Sequence, residues 1–288
     1  VLGLFGAIPL WLSPGLELSP VAAIFESISG LTTTGATVIT GLDTLPQSIL
    51  LYRQLLQWLG GIGIIVLAVA ILPMLGIGGM QLYRAESAGP SKDRKLTPRI
   101  TSTAKALFGI YLLLTIACTA SYFAAGMSAF DAVCHAFSTV AIGGFSTHDA
   151  SLGYYEQNRV LLVSSVFMLL SAVNFGLHFI ALQRRNVRVY ARDSETAFFI
   201  TVIALATVVV CCLLLTTETL DVENSIIHGL FQTISIATTT GFTTQDFSVW
   251  PLFLPILLLI LSFMGGCVGS TGGCLLYTSP SPRDHQPS

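Results

Sequence analysis

Residues 29–37 read Ser-Gly-Leu-Thr-Thr-Thr-Gly-Ala-Thr, residues 237–244 read Ala-Thr-Thr-Thr-Gly-Phe-Thr-Thr, and residues 141–146 read Ala-Ile-Gly-Gly-Phe-Ser. These are three versions of one glycine-centred Thr/Ser cluster, about 100 residues apart, and a repeat of that length governs the fold. Aligning Gly35, Gly144 and Gly241 brings Phe25, Ser29 and Thr32 opposite Phe231, Ser235 and Thr238, and Ser29 also opposite Ser138. A short semi-polar run precedes each cluster: residues 21–32, 128–140 and 223–237. An apolar span follows each, from near Ile49, over about 158–182, and from Trp250, and the second and third units open with apolar spans at about 104–126 and 196–216. The short runs fall well below the roughly 20 residues a helix needs to cross a bilayer. Each must therefore enter and leave on one side, as a re-entrant loop whose non-helical backbone is buried in protein or lines a watery cavity.

Composition agrees with a membrane protein. Hydrophobic residues make up 53% of the 288, charged residues 10%, and the mean hydropathy is +0.77, whereas soluble domains carry about 25% charged residues. Ten of the thirteen Lys and Arg lie in two loops: Arg84, Lys92, Arg94, Lys95, Arg99 and Lys105 in one, Arg184, Arg185, Arg188 and Arg192 in the other. The positive-inside rule makes both loops cytoplasmic. The intervening segments are acidic, with Glu17, Glu26 and Asp43 in the first, Asp131, Asp149 and Glu156 in the second, and Glu218, Asp221, Glu223 and Asp246 in the third. An acidic outer face concentrates cations at a mouth, although each acid alone also reads as ordinary loop solvation. Arg53 and Arg159, near the outer ends of spans, read as snorkelling anchors.

The clusters suit a dehydrated cation. A selective pore replaces the ion's water with backbone carbonyls and hydroxyls, and glycine lets the chain turn where side chains are disfavoured. Thr and Ser add oxygens without fixed charge, and a short helix ending at the cluster aims its partially negative end at the ion. A single cluster of this kind more often marks close helix packing; three in register point to a pore.

Together these stretches resemble the TrkH-type subunits of bacterial Trk potassium uptake systems, in the Trk/Ktr/HKT superfamily. The resemblance rests on the three clusters, on Tyr52-Arg53-Gln54 with Trp58-Leu59-Gly60-Gly61, on residues 78–86 (Gly-Gly-Met-Gln-Leu-Tyr-Arg-Ala-Glu), and on residues 265–273 (Gly-Gly-Cys-Val-Gly-Ser-Thr-Gly-Gly). It covers residues 1 to about 273. It implies an all-α integral membrane fold of helix–pore-loop–helix units in pseudo-fourfold array, of which three of an expected four are present. It also implies uptake of potassium across the bacterial inner membrane, a homodimer, and a cytoplasmic nucleotide-binding regulatory subunit of the TrkA kind. Carried over by position, the ion-coordinating residues are Thr33, Thr34, Gly35, Ile142, Gly143, Gly144, Thr239, Thr240 and Gly241. A sodium- or proton-coupled symporter of the same superfamily is the alternative, because secondary transporters also use broken helices.

Residues 265–273 are not a fourth filter. Gly35 to Gly144 and Gly144 to Gly241 are 109 and 97 residues, but Gly241 to Gly272 is 31, too short for another unit. The run is expected to break the third unit's second span, Trp250 to Met264, because several glycines at about 1 kcal/mol each disfavour helix. The resemblance makes Gly265, Gly266, Gly269, Ser270, Thr271, Gly272 and Gly273 an intramembrane gating loop; a packing patch is the plainer reading. The expected organisation is 1–82 first pore unit, 83–103 cytoplasmic loop, 104–182 second unit, 183–194 cytoplasmic loop, 195–273 third unit and 274–288 a Ser/Pro-rich tail that reads as non-native. Val1 in place of Met and an apolar start with no basic region before it suggest a fragment without a cleavable signal peptide, and three sides of a four-sided filter are not expected to conduct alone.

Other classes fare poorly. No lysine (92, 95, 105) follows a glycine as a phosphate-binding loop needs. There is no His-Glu-x-x-His, and Val268 stands where a nucleophile elbow at Ser270 needs glycine. The six cysteines (118, 134, 211, 212, 267, 274) show no disulfide or zinc spacing, and His135, His148, His178 and His228 read as packing or loop residues. Asn174, near Gly176, faces either the conduit or a neighbouring helix. No enzymatic activity, organic cofactor, transition metal or nucleic-acid partner is expected, potassium being the substrate.

Overall fold

The structure, a computed structural model, describes residues 1–71, 96–251 and 253–272, with backbone alone at 64–71 and 96–102. The motif at 78–86, residues 83–95 of the first basic loop, Gly273 and the tail 274–288 lie outside the described residues. Among the described residues the regular structure is helical, with no β-strand.

The half-length helices occupy Pro20–Leu31, Ala129–Ala141 and Val222–Ala237. Two start on the same local chemistry. Ser19 Oγ accepts from the Ala22 amide at 3.2 Å and Ser128 Oγ from the Asp131 amide at 3.1 Å, satisfying amides that a helix start leaves unpaired. Pro20, with no amide hydrogen to satisfy, fits the first turn.

Long helices frame them: Gln47–Ile71 after the first cluster, and Leu96–Ala125 and Ser194–Thr216 ahead of the second and third half-helices. The helix Leu96–Ala125 begins inside what reads as the loop 83–103. Thr103–Ala125 and Ser194–Thr216, 23 residues each, are long and apolar enough to cross a membrane, covering about 35 Å at 1.5 Å per residue. Helix Gln47–Ile71 docks on the second unit through Trp58. Its ring stacks on Phe137 at 5.2 Å, its Nε1 donates to Thr115 Oγ1 at 3.1 Å, and its carbonyl accepts from Tyr111 at 3.0 Å. One core, including Tyr111, Tyr122, Phe175, Phe199, Phe231 and Phe242, joins the second and third units.

Two spans differ from expectation. The expected span 158–182 is two helices, Asn158–Ala172 and Phe175–Arg184, bent by 95°. Asn174 caps the second, its Oδ1 accepting from the Gly176 amide at 2.7 Å, so a polar side chain offers the backbone a helix start inside an apolar run. Among the described residues, the expected span Trp250–Met264 is α-helical only over Leu254–Leu261.

Arg184, Arg185, Arg188 and Arg192 are exposed at one end of helix Ser194–Thr216, and Glu218 and Asp221 at the other. In a background without the exposed Cys212, an impermeant thiol reagent should label a cysteine at Asn186 only from the cytoplasm. It should label one at Asp246 only from outside. Labelling of both from one face would refute this orientation.

Candidate functional site

Each half-helix ends in the same turn. Thr33, Ile142 and Thr239 have φ of 55°, 54° and 64°, and the glycines two places on, Gly35, Gly144 and Gly241, have φ of 76°, 79° and 83°. The amide between them reaches back five residues: Thr34 N–Ser29 O, Gly143 N–Ser138 O and Thr240 N–Ser235 O are all 2.9 Å. This closure of a helix C-terminus ordinarily carries glycine at its left-handed residue. Here that residue is β-branched in all three units, a conformation that is an outlier for such side chains. It costs roughly 1–3 kcal/mol and persists where the surroundings enforce it, typically at functional sites. In the first and third units hydroxyls flank the turn in pairs, Thr32 with Thr34 at 2.8 Å and Thr238 with Thr240 at 2.7 Å. Ala141 and Gly143 hold those places in the second unit.

The three turns lie side by side, in order. A Cβ on Gly35 would collide with the carbonyl oxygen of Gly143, and one on Gly144 with the carbonyl oxygen of Thr240, while one on Gly241 would meet no described atom within 4 Å. Each of the first two glycines is thus required twice, by its φ and by its neighbour's backbone. Gln57, fully buried, crosses from the first unit to the second. Its Nε2 donates to Gly143 O at 2.7 Å, and its Oε1 accepts from Ser138 Oγ at 2.7 Å and from the Phe145 amide at 3.2 Å. On the acidic side, His148 Nδ1 donates to Asp43 at 2.5 Å, and the Gly41 amide to Asp149 at 3.0 Å. The hydrogen bond from His148 holds the Asp43 carboxyl below its ordinary pKa. Between the second and third units, the Gly153 amide donates to Thr243 O at 3.1 Å and the Thr243 amide to Ser151 Oγ at 3.2 Å.

The glycine-rich run passes against the C-terminal ends of the second and third half-helices. Thr271 Oγ1 bonds Val140 O at 2.9 Å and Ser171 O at 3.3 Å, and a Cβ on Gly272 would lie 3.3 Å from Thr238 O and 3.5 Å from Ile142 Cδ1. The break in the second unit's bent helix receives it. Cys267 N donates to Ala172 O at 2.7 Å and Phe175 N to Gly269 O at 3.0 Å, and Gly269, at φ 78°, packs on Asn174. Asn174 therefore serves both as helix cap and as floor for this run. The Val268 amide donates to Glu195 Oε1 at 2.6 Å, tying the run to the start of helix Ser194–Thr216. Gly265, Gly266, Gly269, Ser270, Thr271 and Gly272 are within the described residues; Gly273 is outside them.

Two charged residues sit where the sequence does not suggest them. Arg53 is not a snorkelling anchor and Glu26 is not a solvated loop acid: both are 0% exposed and paired at 2.7 Å. The guanidinium also lies 4.4 Å from the Phe145 ring centroid. Nothing in their 27-residue separation signals this; a charged residue within a half-helix is the one available sign. Among the described residues no group of three or more His, Cys, Asp or Glu could hold a metal. His135 and His178 instead use both ring nitrogens in hydrogen bonds, and His228 Nδ1 bonds Thr244 at 2.9 Å.

Residues 1–278 match the family described as "TrkH: Cation transport protein". The chain is 57% identical over 273 residues to the Trk system potassium uptake protein TrkH of Halomonas elongata, covering 95% of this chain and 57% of that one. It is 55% identical over 277 residues to the protein of the same name from Escherichia coli, covering 96% and 57%. Among solved structures, that of the potassium transporter TrkH from Vibrio parahaemolyticus superposes with a TM-score of 0.86 at 52% identity, covering 95% of this chain and 56% of that one. The chain thus spans little more than half the length of these relatives.

Proposed function

This chain belongs to the TrkH family of cation transport proteins, and from that premise we propose that it forms the larger part of a potassium-uptake pore in the bacterial inner membrane. The observation that carries this reading is the turn repeated at Thr33–Gly35, Ile142–Gly144 and Thr239–Gly241, each closing a half-length helix and each abutting the next. A potassium ion gives up its water only to oxygens held at fixed spacing. Carbonyls and hydroxyls of Thr33, Thr34, Ile142, Gly143, Thr239 and Thr240 are the supply. Half-helix C-termini add partial negative charge without a fixed anion that would trap the ion. The choice of potassium follows the names of the relatives.

Residues 265–273 act in this reading as a gate beneath the filter. The contacts of Thr271 and Gly272 with Val140, Ile142 and Thr238 support it, since those residues end the half-helices. A homodimer and a cytoplasmic nucleotide-binding subunit complete the proposal, the latter acting from the side bearing Arg184–Arg192. In the full-length gene product in liposomes, Gly241→Ser should lower the potassium-to-sodium flux ratio, since φ 83° disfavours any side chain there. An unchanged ratio would remove Gly241 from the filter.

A further inference from the structure

Resting on the filter reading, we propose that Glu26 and His135 are positioning residues that fix the outer halves of the first two filter segments, and that Arg53 locks these two braces together. Glu26 and His135 occupy the same place in the repeat, nine residues before Gly35 and Gly144. Each grips the hydroxyl two residues after its glycine. Thr37 Oγ1 donates to Glu26 at 2.9 Å and 3.1 Å, and the Val38 amide donates to Glu26 Oε2 at 3.0 Å. His135 Nε2 lies 3.0 Å from Ser146 Oγ, and its Nδ1 lies 2.9 Å from Asp131 O. A carbonyl only accepts, so Nδ1 carries the proton and Nε2 accepts from Ser146.

Arg53 spans both braces. Its Nε donates to Glu26 at 2.7 Å, its Nη2 to Thr37 Oγ1 at 2.9 Å and its Nη1 to the Ser146 carbonyl at 3.3 Å. The Thr37 hydroxyl therefore gives its proton to a carboxylate while accepting from Arg53 and from the Ile39 amide at 3.1 Å. Glu26, Arg53 and His135 are all 0% exposed. A buried ion pair is weak evidence for stability, since apolar replacements often serve as well. What it supplies here is direction: each oxygen of Thr37 and Ser146 that follows a filter glycine has one allowed position.

The third unit supplies an internal control. Gln232 stands nine residues before Gly241, is equally buried, and has no hydrogen-bond partner for either polar atom among the described residues. The segment after Gly241 is instead held by Ser151 and Gly153 of the second unit.

Flux of potassium and of sodium into liposomes, from the full-length gene product, tests the proposal. Thr37→Val, isosteric but without the hydroxyl, and Ser146→Ala should each lower the potassium-to-sodium ratio about tenfold, the factor equivalent to ~1.4 kcal/mol. Thr37→Ser should restore it, and Gln232→Leu should leave it unchanged. Should Thr37→Val and Ser146→Ala lower only the melting temperature, with the ratio intact, the braces are structural and the proposal is overturned. It is equally overturned if Gln232→Leu lowers the ratio as much. Gly35→Ala separates the two levels. If it destroys discrimination while both hydroxyl variants retain it, the braces alone fall; if it changes nothing, the filter reading falls and takes the braces with it.

Discussion

Gly35→Ala and Gly144→Ala are each expected to cut the discrimination of potassium over sodium by tenfold to a hundredfold. Both residues sit at positive φ, 76° and 79°, and both face the carbonyl oxygen of the neighbouring cluster, at Gly143 and Thr240. An added Cβ must push that carbonyl aside or rotate the turn. Enforced backbone strain of this kind is worth roughly 1–3 kcal/mol, and each 1.4 kcal/mol is about a factor of ten. The carbonyls displaced are those proposed to meet the ion, so the loss falls on selectivity, and folding suffers less. Parallel flux assays with the two ions decide it. Variants that carry potassium less well but keep the ratio would place these glycines in packing alone.

Arg53→Met is expected to be the most damaging single change to stability. It strips the partner from a carboxylate with no exposure to water, and breaking one side of a buried pair typically costs about 3–5 kcal/mol. The methylene stem and the contact with Phe145 are partly retained, so the loss reports mainly on charge. Glu26→Gln added to Arg53→Met should recover a large part of the lost melting temperature in detergent, because no unpaired charge then remains. Strictly additive losses in that cycle would mean the pair is not coupled.

How legible all this was depended on the distance over which each signal acts. The half-helices could be read because shortness and glycine clusters are local properties. The expected runs 21–32, 128–140 and 223–237 differ by no more than one residue at either end from Pro20–Leu31, Ala129–Ala141 and Val222–Ala237. The common turn was foreshadowed only by its glycines, since Thr33, Ile142 and Thr239 are residue types that do not advertise positive φ. The break at Asn174 is hidden because hydropathy sums over it; the sequence reading places Asn174 toward the conduit or a neighbouring helix, and its role as a helix cap is in neither alternative. Glu26, His135 and Gln232 share a place but not a chemistry, so the repeat is invisible there. Arg53 and Glu195 find their partners 27 and 73 residues away, through docking of whole helices that no sequence window contains.

The side-by-side abutment of the clusters also bears on how the protein reaches its final shape. Gly35 meets Gly143, and Gly144 meets Thr240, across separations of 108 and 96 residues. Contacts so remote along the chain are slow to form and gain nothing until the intervening loops have closed. Each turn closes on its own half-helix, but the abutment of one cluster on the next requires the helices that carry them to have come together. On the proposed filter reading, a substitution that loosens that assembly, even far from the clusters, is expected to lower ion discrimination while the helix content of the chain is still intact.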